Sequence, residues 1–168
     1  SVLDKSDEIG EHSDSRKEDI IQESDSFKAA EEIRDVVVLN ILTSSVRIQG
    51  QELLEFLMEN EMTFGKMGIF EKVNSRGEVA FSLANAIEPG TFDLSDIDES
   101  ETIGVTLFMR IDCANQAEEI FNDMLDLARK ASEKFSAQIF DGSRSALTQQ
   151  TIEHIRQNIR EMKLKEMA

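Results

Sequence analysis

Val105-Thr106-Leu107-Phe108-Met109 is apolar at every position but Thr106. Successive side chains of a β-strand point to opposite faces of the sheet. One parity therefore sends Val105, Leu107 and Met109 into a core, and the other leaves Thr106 and Phe108 on the far side. A sheet with one wet face carries polar residues there, so a phenylalanine is out of place. Applied to Leu83-Ala84-Asn85-Ala86-Ile87, the same alternation turns Leu83 and Ile87 inward and Ala84 and Ala86 outward. Met67 and Ile69 share one parity of their segment, and Val36 and Val38 share one side of theirs. If these parities coincide, the far face is a shallow apolar patch floored by alanines and walled by Val36, Met67, Ile69 and Phe108. Exposed patches of this kind mark interaction sites. The competing readings are a further element covering the patch, or a register in which Phe108 points into the core.

The surrounding chain supplies the elements of such a sheet. Residues 35–43 (DVVVLNILT) are β-branched and apolar on both parities, the pattern of a central strand. Leu53, Leu54 and Leu57 are spaced for a helix over residues 51–61. Residues 64–73 predict a strand, and Asn74-Ser75-Arg76-Gly77 a hairpin turn into a strand over 78–87. Pro89-Gly90 ends that strand, with Pro expected at the first central turn position and Gly at the second. After an acidic loop over 93–102, residues 103–111 predict a further strand. Ala117, Ile120, Phe121, Met124, Ala128 and Ala131 trace one face of a long helix. Residues 136–140 predict a short strand ended by Asp141-Gly142. Thr148 is placed to cap a last helix carrying Ile152, Ile155, Ile159 and Met162. The order β-α-β-β-β-α-β-α is that of an α+β domain with a largely antiparallel sheet.

Charge bounds the function. The 168 residues carry 34 Asp and Glu against 18 Lys and Arg, a net charge of −16. Nucleic-acid binding through phosphate neutralisation is excluded, because it needs clustered cations, and anionic membrane surfaces are disfavoured on the same ground. An RNA-recognition sheet would also need stacking aromatics among basic residues, and the chain has no Tyr and no Trp. Residues 1–35 hold 12 acidic and 5 basic side chains with few large apolar ones, too little to offset the entropy of ordering. Residues 1–33 are therefore expected to be an acidic, mostly disordered linker, and residues 34–168 the folded domain. No apolar run approaches the length of a membrane span. The one cysteine, Cys113, precludes an intrachain disulfide, is expected to be a small buried residue, and points to a reducing compartment.

Catalytic chemistry finds no residues to carry it. His12 lies in the acidic segment, and His154 points away from the apolar stripe of the last helix. Two such histidines and one cysteine make neither a zinc set nor a Cys/His pair. Asp96-Ile97-Asp98-Glu99-Ser100 resembles the start of a calcium loop, but Glu101 stands where that loop needs Gly and Leu107 where it needs the bidentate Glu. The expectation is no enzyme, no metal site and no cofactor.

Phe81-Ser82-Leu83-Ala84-Asn85, then Glu88-Pro89-Gly90-Thr91-Phe92-Asp93, then Gly104-Val105-Thr106-Leu107-Phe108-Met109 closely resemble the C-terminal domain of the bacterial ZipA cell-division family. Gly50 with Leu53-Leu54, Phe64-Gly65 with Met67, and Ile159-Arg160-Glu161 extend the likeness from about Val36 to the C-terminus. The resemblance implies a split β-α-β fold with three helices on one face of a six-stranded antiparallel sheet and an open groove on the other. It implies that the groove binds the C-terminal tail peptide of FtsZ, the tubulin-like division GTPase, and tethers it to the cytoplasmic face of the inner membrane at the division site. It also implies a monomeric domain whose N-terminal membrane anchor lies outside this chain. Carried over by position, the peptide-binding residues are Val36, Met67, Ile69, Ala84, Ala86, Glu88, Thr106 and Phe108. The family often has a larger Met at the position of Ala86 and a Lys at that of Glu88, which implies a wider and more acidic groove here, partly offset by Lys66. The alternative use of the same face is homodimerisation.

Overall fold

The computed structural model describes residues 35–111 and 116–167. The expected linker, His12 and Cys113 lie outside the described residues. Among the described residues the element order is β1 (Val36–Thr43), β2 (Ile48–Gln49), α1 (Gly50–Glu59), β3 (Thr63–Phe64), β4 (Phe70–Val73), β5 (Val79–Asn85), a 3-10 turn (Ile97–Glu99), β6 (Glu101–Thr102), β7 (Gly104–Arg110), α2 (Ala117–Phe135), β8 (Ala137–Asp141) and α3 (Gln149–Met167). Six strands form one sheet in the order β3-β4-β5-β7-β1-β8 with every pairing antiparallel, and β2 and β6 form a separate two-stranded ladder. The fold is α+β, as the sequence predicts.

One face of the sheet makes the core. Val37, Leu39 and Ile41 of β1, Phe81 and Leu83 of β5, and Val105, Leu107 and Met109 of β7 join a single buried cluster with residues from all three helices. From α1 come Leu53, Phe56 and Leu57, spaced to fall on one side of a helix; from α2 come Phe121, Met124, Leu125, Ala128 and Ala131; from α3 come Ile152 and Ile159. The Phe56 and Phe135 rings meet edge to face at 5.4 Å and join α1 to α2. At the N-terminus of α3 the Thr148 hydroxyl accepts the Thr151 N–H at 3.2 Å, the expected cap. Arg160 and Arg156 then hold α3 to α2 through Glu118 at 2.6 Å and Asn122 at 3.0 Å. His154 is exposed.

Four expectations are corrected. Residues 64–73 are a hairpin instead of one strand: Gly65 N–H donates to the Ile69 carbonyl at 2.8 Å, and Gly68 turns the chain at φ +76°, a conformation that favours glycine. The acidic loop expected over 93–102 ends in β6, Glu101–Thr102, whereas the strand expected over 103–111 is β7, Gly104–Arg110. At Gly104 a Cβ would collide with the Ile41 carbonyl oxygen, so glycine lets β7 begin hard against β1. The strand expected over 78–87 ends at Asn85, and Ile87 sits half-exposed in the turn beyond it. In that turn Gly90 N–H donates to the Ile87 carbonyl at 2.9 Å. Pro89 therefore takes the second central position, after a cis peptide bond, and Gly90 the fourth at φ +91°.

Candidate functional site

Strand pairing brings the far-face residues into rows, because antiparallel partners share a face. Ser82 pairs with Phe108, which pairs with Val38. Two residues along, Ala84 pairs with Thr106, Thr106 with Asn40, and Asn40 with Phe140. Val36 pairs with Arg110 at one end, and at the other Ala86 N–H donates to the Gly104 carbonyl at 3.0 Å. From the row of Val36 to that of Ala86 is six residues of strand, roughly 20 Å.

Burial separates this face from the core. Val38 and Ala84 are only 8% and 5% exposed, yet neither belongs to the core cluster that their neighbours Leu39 and Leu83 join. They are covered on the face away from the helices. Val36, Thr106 and Phe108 on the same face are half-buried. The polar groups in the middle of the patch are paired with one another. The Thr106 hydroxyl donates to Asn40 Oδ1 at 2.8 Å, and Asn40 Nδ2 donates to the Asp141 carbonyl at 3.2 Å.

The eight expected residues divide by element. Val36, Ala84, Thr106 and Phe108 stand on strands of the far face. Met67 and Ile69 belong to the turn between β3 and β4, so the strand parity argument does not apply to them. Met67 is 79% exposed and Ile69 half-buried. Ile69 nevertheless precedes Phe70, the partner of Leu83, and so arrives beside Ala84. Ala86 and the exposed Glu88 follow β5 into the cis-proline turn. Phe92 N–H donates to the Gly68 carbonyl at 2.7 Å, which ties the Met67 turn to the segment leaving the Glu88 turn. The two turns thus flank the same end of the face.

Val38, Asn40, Ser82 and Phe140 share the face and were not among the expected site residues. Val38 and Asn40 had a signal, since both have the parity of Val36. Phe140 had none, because only the pairing of β8 with β1 brings it there. At the Val36 end a cavity of about 550 Å³ opens between the β4–β5 hairpin and the start of α2. Phe108 is the one expected residue that lines it, together with Ser82, Arg76, Val79 and Ile120. Among the described residues no group of three or more His, Cys, Asp or Glu side chains is placed to hold a metal. The Asp96–Ser100 segment instead tucks Ile97 into the core and closes its 3-10 turn with Ser100 Oγ on the Ile97 carbonyl at 2.9 Å.

Two carboxyl groups among the described residues have lowered pKa values. The Arg160 guanidinium beside Glu118 holds that carboxyl below the usual glutamate range, and the Ser95 hydroxyl and N–H do the same for Asp93. Among the described residues no helix is long and apolar enough to cross a membrane.

Residues 35–158 match the family described as ZipA, C-terminal FtsZ-binding domain. The chain is 39% identical over 139 residues to the cell division protein ZipA of Stutzerimonas stutzeri strain A1501, covering 80% of this chain and 51% of that protein. It is 41% identical over 133 residues to ZipA of Pseudomonas fluorescens strain SBW25, covering 77% and 46%. Against ZipA of Pseudomonas aeruginosa strain LESB58 it is 37% identical over 131 residues, covering 76% and 45%. The chain spans about half the length of these curated relatives. With a match that runs from the first strand well into the last helix, the chain belongs to the ZipA C-terminal FtsZ-binding domain family.

Proposed function

We propose that this chain is a non-enzymatic cell-division adaptor whose open sheet face binds the C-terminal tail peptide of FtsZ. The observation that carries the reading is the apolar far face itself. Val38 and Ala84 are buried outside the core, Phe108 and Val36 stand beside them half-covered, and Met67 projects at the rim. A face roughly 20 Å long accommodates about six residues of extended peptide. Two or three apolar side chains buried there contribute about 1.5–3 kcal/mol each. The cost of ordering a flexible segment takes back much of this, so the single contact is weak. Avidity along an FtsZ polymer then strengthens a weak single contact.

In this reading the acidic residues 1–33 are linker, and a membrane anchor upstream of the chain holds the FtsZ filament at the cytoplasmic face of the inner membrane. The domain works as a monomer, with its face free for the peptide. The test is a titration of isotope-labelled protein with a synthetic FtsZ tail peptide, followed by amide NMR. Shifts concentrated on Val36, Ala84, Thr106, Phe108 and the Met67 and Glu88 turns are expected. Shifts confined to the helices, or none, refute the reading. Sedimentation at rising protein concentration tests the alternative, since a homodimer through the same face would grow with concentration and dissociate on addition of peptide.

A further inference from the structure

Asn40 is a polar side chain in the middle of a face otherwise suited to apolar contact. Its strand neighbours Leu39 and Ile41 are fully buried on the core side, and Asn40 itself, half-buried, lies between Thr106 and Phe140 in the row that begins at Ala84. A carboxamide has two N–H donors and a carbonyl oxygen with two lone pairs. The Thr106 hydroxyl takes one lone pair and the Asp141 carbonyl takes one N–H. One donor and one acceptor remain, together with the lone pairs of the Thr106 hydroxyl, which has spent its proton on Asn40. The row Ala84–Thr106–Asn40 therefore has a small floor at one end and a pre-oriented amide at the other.

We infer that Asn40, held by Thr106, is a specificity residue of this face, which hydrogen-bonds a main-chain amide of the bound peptide and so sets its register. The inference rests on the proposed binding of the FtsZ tail to this face. Apolar contacts alone fix register weakly, because a side chain that slips along a smooth patch loses little. A buried amide with a spare donor and acceptor penalises slipping, since a misplaced peptide leaves those groups unpaired and dry. The pair Asn40–Thr106 also keeps the amide from rotating, so less side-chain entropy is lost when the peptide arrives.

The test is a cycle on both partners. Fluorescent FtsZ tail peptides, each with one backbone amide replaced by an ester, are titrated against the parent domain, Asn40→Leu and Thr106→Val. An ester lacks the N–H and is a poorer acceptor, so one position in the scan should cost the parent domain about 5–10-fold in affinity, and that penalty should vanish in Asn40→Leu. The unmodified peptide should bind Asn40→Leu about 5–10-fold more weakly and Thr106→Val about 2–4-fold more weakly. Leucine adds apolar surface, so equal or tighter binding to Asn40→Leu, or an ester penalty unchanged in that variant, overturns the inference. Should Asn40→Leu fail to fold, the ester cycle on the near-isosteric Thr106→Val decides instead, a diminished penalty supporting the inference and an unchanged one overturning it. Phe108→Ala separates the two levels. If it weakens binding while Asn40→Leu does not, only the role of Asn40 falls; if the parent domain itself does not bind, the proposed function falls with it.

Discussion

Leu107 and Phe108 are adjacent in the chain and stand in opposite circumstances. Leu107 is fully buried among the side chains of three helices, whereas Phe108 lies between Ser82 and Val38 on the face that no described helix covers. The first is surrounded because the domain needs a core, and its loss is a loss of folding energy. The second is half-buried on the other face, so its loss should be felt when a partner arrives. The comparison extends along the strands: Leu39 against Val38 and Asn40, Leu83 against Ala84. A sheet has two sides, and this domain uses its helices on one of them.

The comparison can be broken by substitution. Leu107→Ala should lower unfolding free energy by about 2–5 kcal/mol, the range for a buried large-to-small change, as read by urea denaturation. Phe108→Ala should leave stability nearly unchanged and weaken FtsZ-tail binding by about 1 kcal/mol or more, as read by titration of a labelled peptide. If Phe108→Ala unfolds the domain and Leu107→Ala does not, the assignment of the two faces is inverted.

A smaller effect is expected at the rim. Glu88 is exposed in the turn after β5, so its charge should act on a bound peptide through screened Coulomb attraction or repulsion. Glu88→Lys should change tail affinity only a few-fold, and the difference should shrink as salt rises. Phe108→Ala should remain the larger effect at every ionic strength. Abolition of binding by Glu88→Lys alongside a neutral Phe108→Ala would make recognition electrostatic.

The smallest effect belongs to the helical layer that covers the other face. Glu118 is paired with Arg160 of α3 at 2.6 Å, and its folded pKa is lowered chiefly by that hydrogen bond. A depressed carboxylate pKa contributes stability that is present above the unfolded value and is lost as pH falls through the folded one. Both groups are at the surface, where solvent screening keeps such a pair weak. Glu118→Gln should therefore lower the melting temperature slightly at neutral pH, and the gap from the parent should close as pH falls through the lowered folded pKa of Glu118. A gap that widens with acid would show that the pair does not act through ionisation. Tail binding should not change in this variant, since Glu118 and Arg160 lie on the helical side.

Much of the two-sidedness was legible in residue order. Period-two alternation in Val105 to Met109 and around Ala84 separates the faces without reference to any other strand, and helical spacing in α1, α2 and α3 supplies the cover for one of them. The turn residues were harder. Residues 64–73 looked like one strand because Phe64, Met67, Ile69 and Phe70 are all apolar, and the reversal at Gly68 depends on hydrogen bonds between residues 65 and 69 that compete with extension. Strand parity therefore does not govern Met67 and Ile69, which lie in the turn between β3 and β4. The Phe70–Leu83 pairing brings Ile69 beside Ala84, and the Gly68 carbonyl, tied to Phe92, holds the Met67 turn against the segment leaving the Glu88 turn.

By itself the sequence determined which side chains each strand offers to each face, since that follows from the geometry of a single extended chain. It also determined the family, through motifs that survive as contiguous runs, and the excess of acidic residues that gives the chain its net charge of −16. Only the tertiary structure decided which strands lie side by side. Pairing of β1 with β8 sets Asn40 beside Phe140, and pairing of β1 with β7 lets Thr106 lock the Asn40 amide. The hydrogen-bond partners of the Asn40 side chain, Thr106 and Asp141, are 66 and 101 residues from it in sequence. No local pattern encodes such a distance, because register is settled by the packing of the whole sheet against its helices.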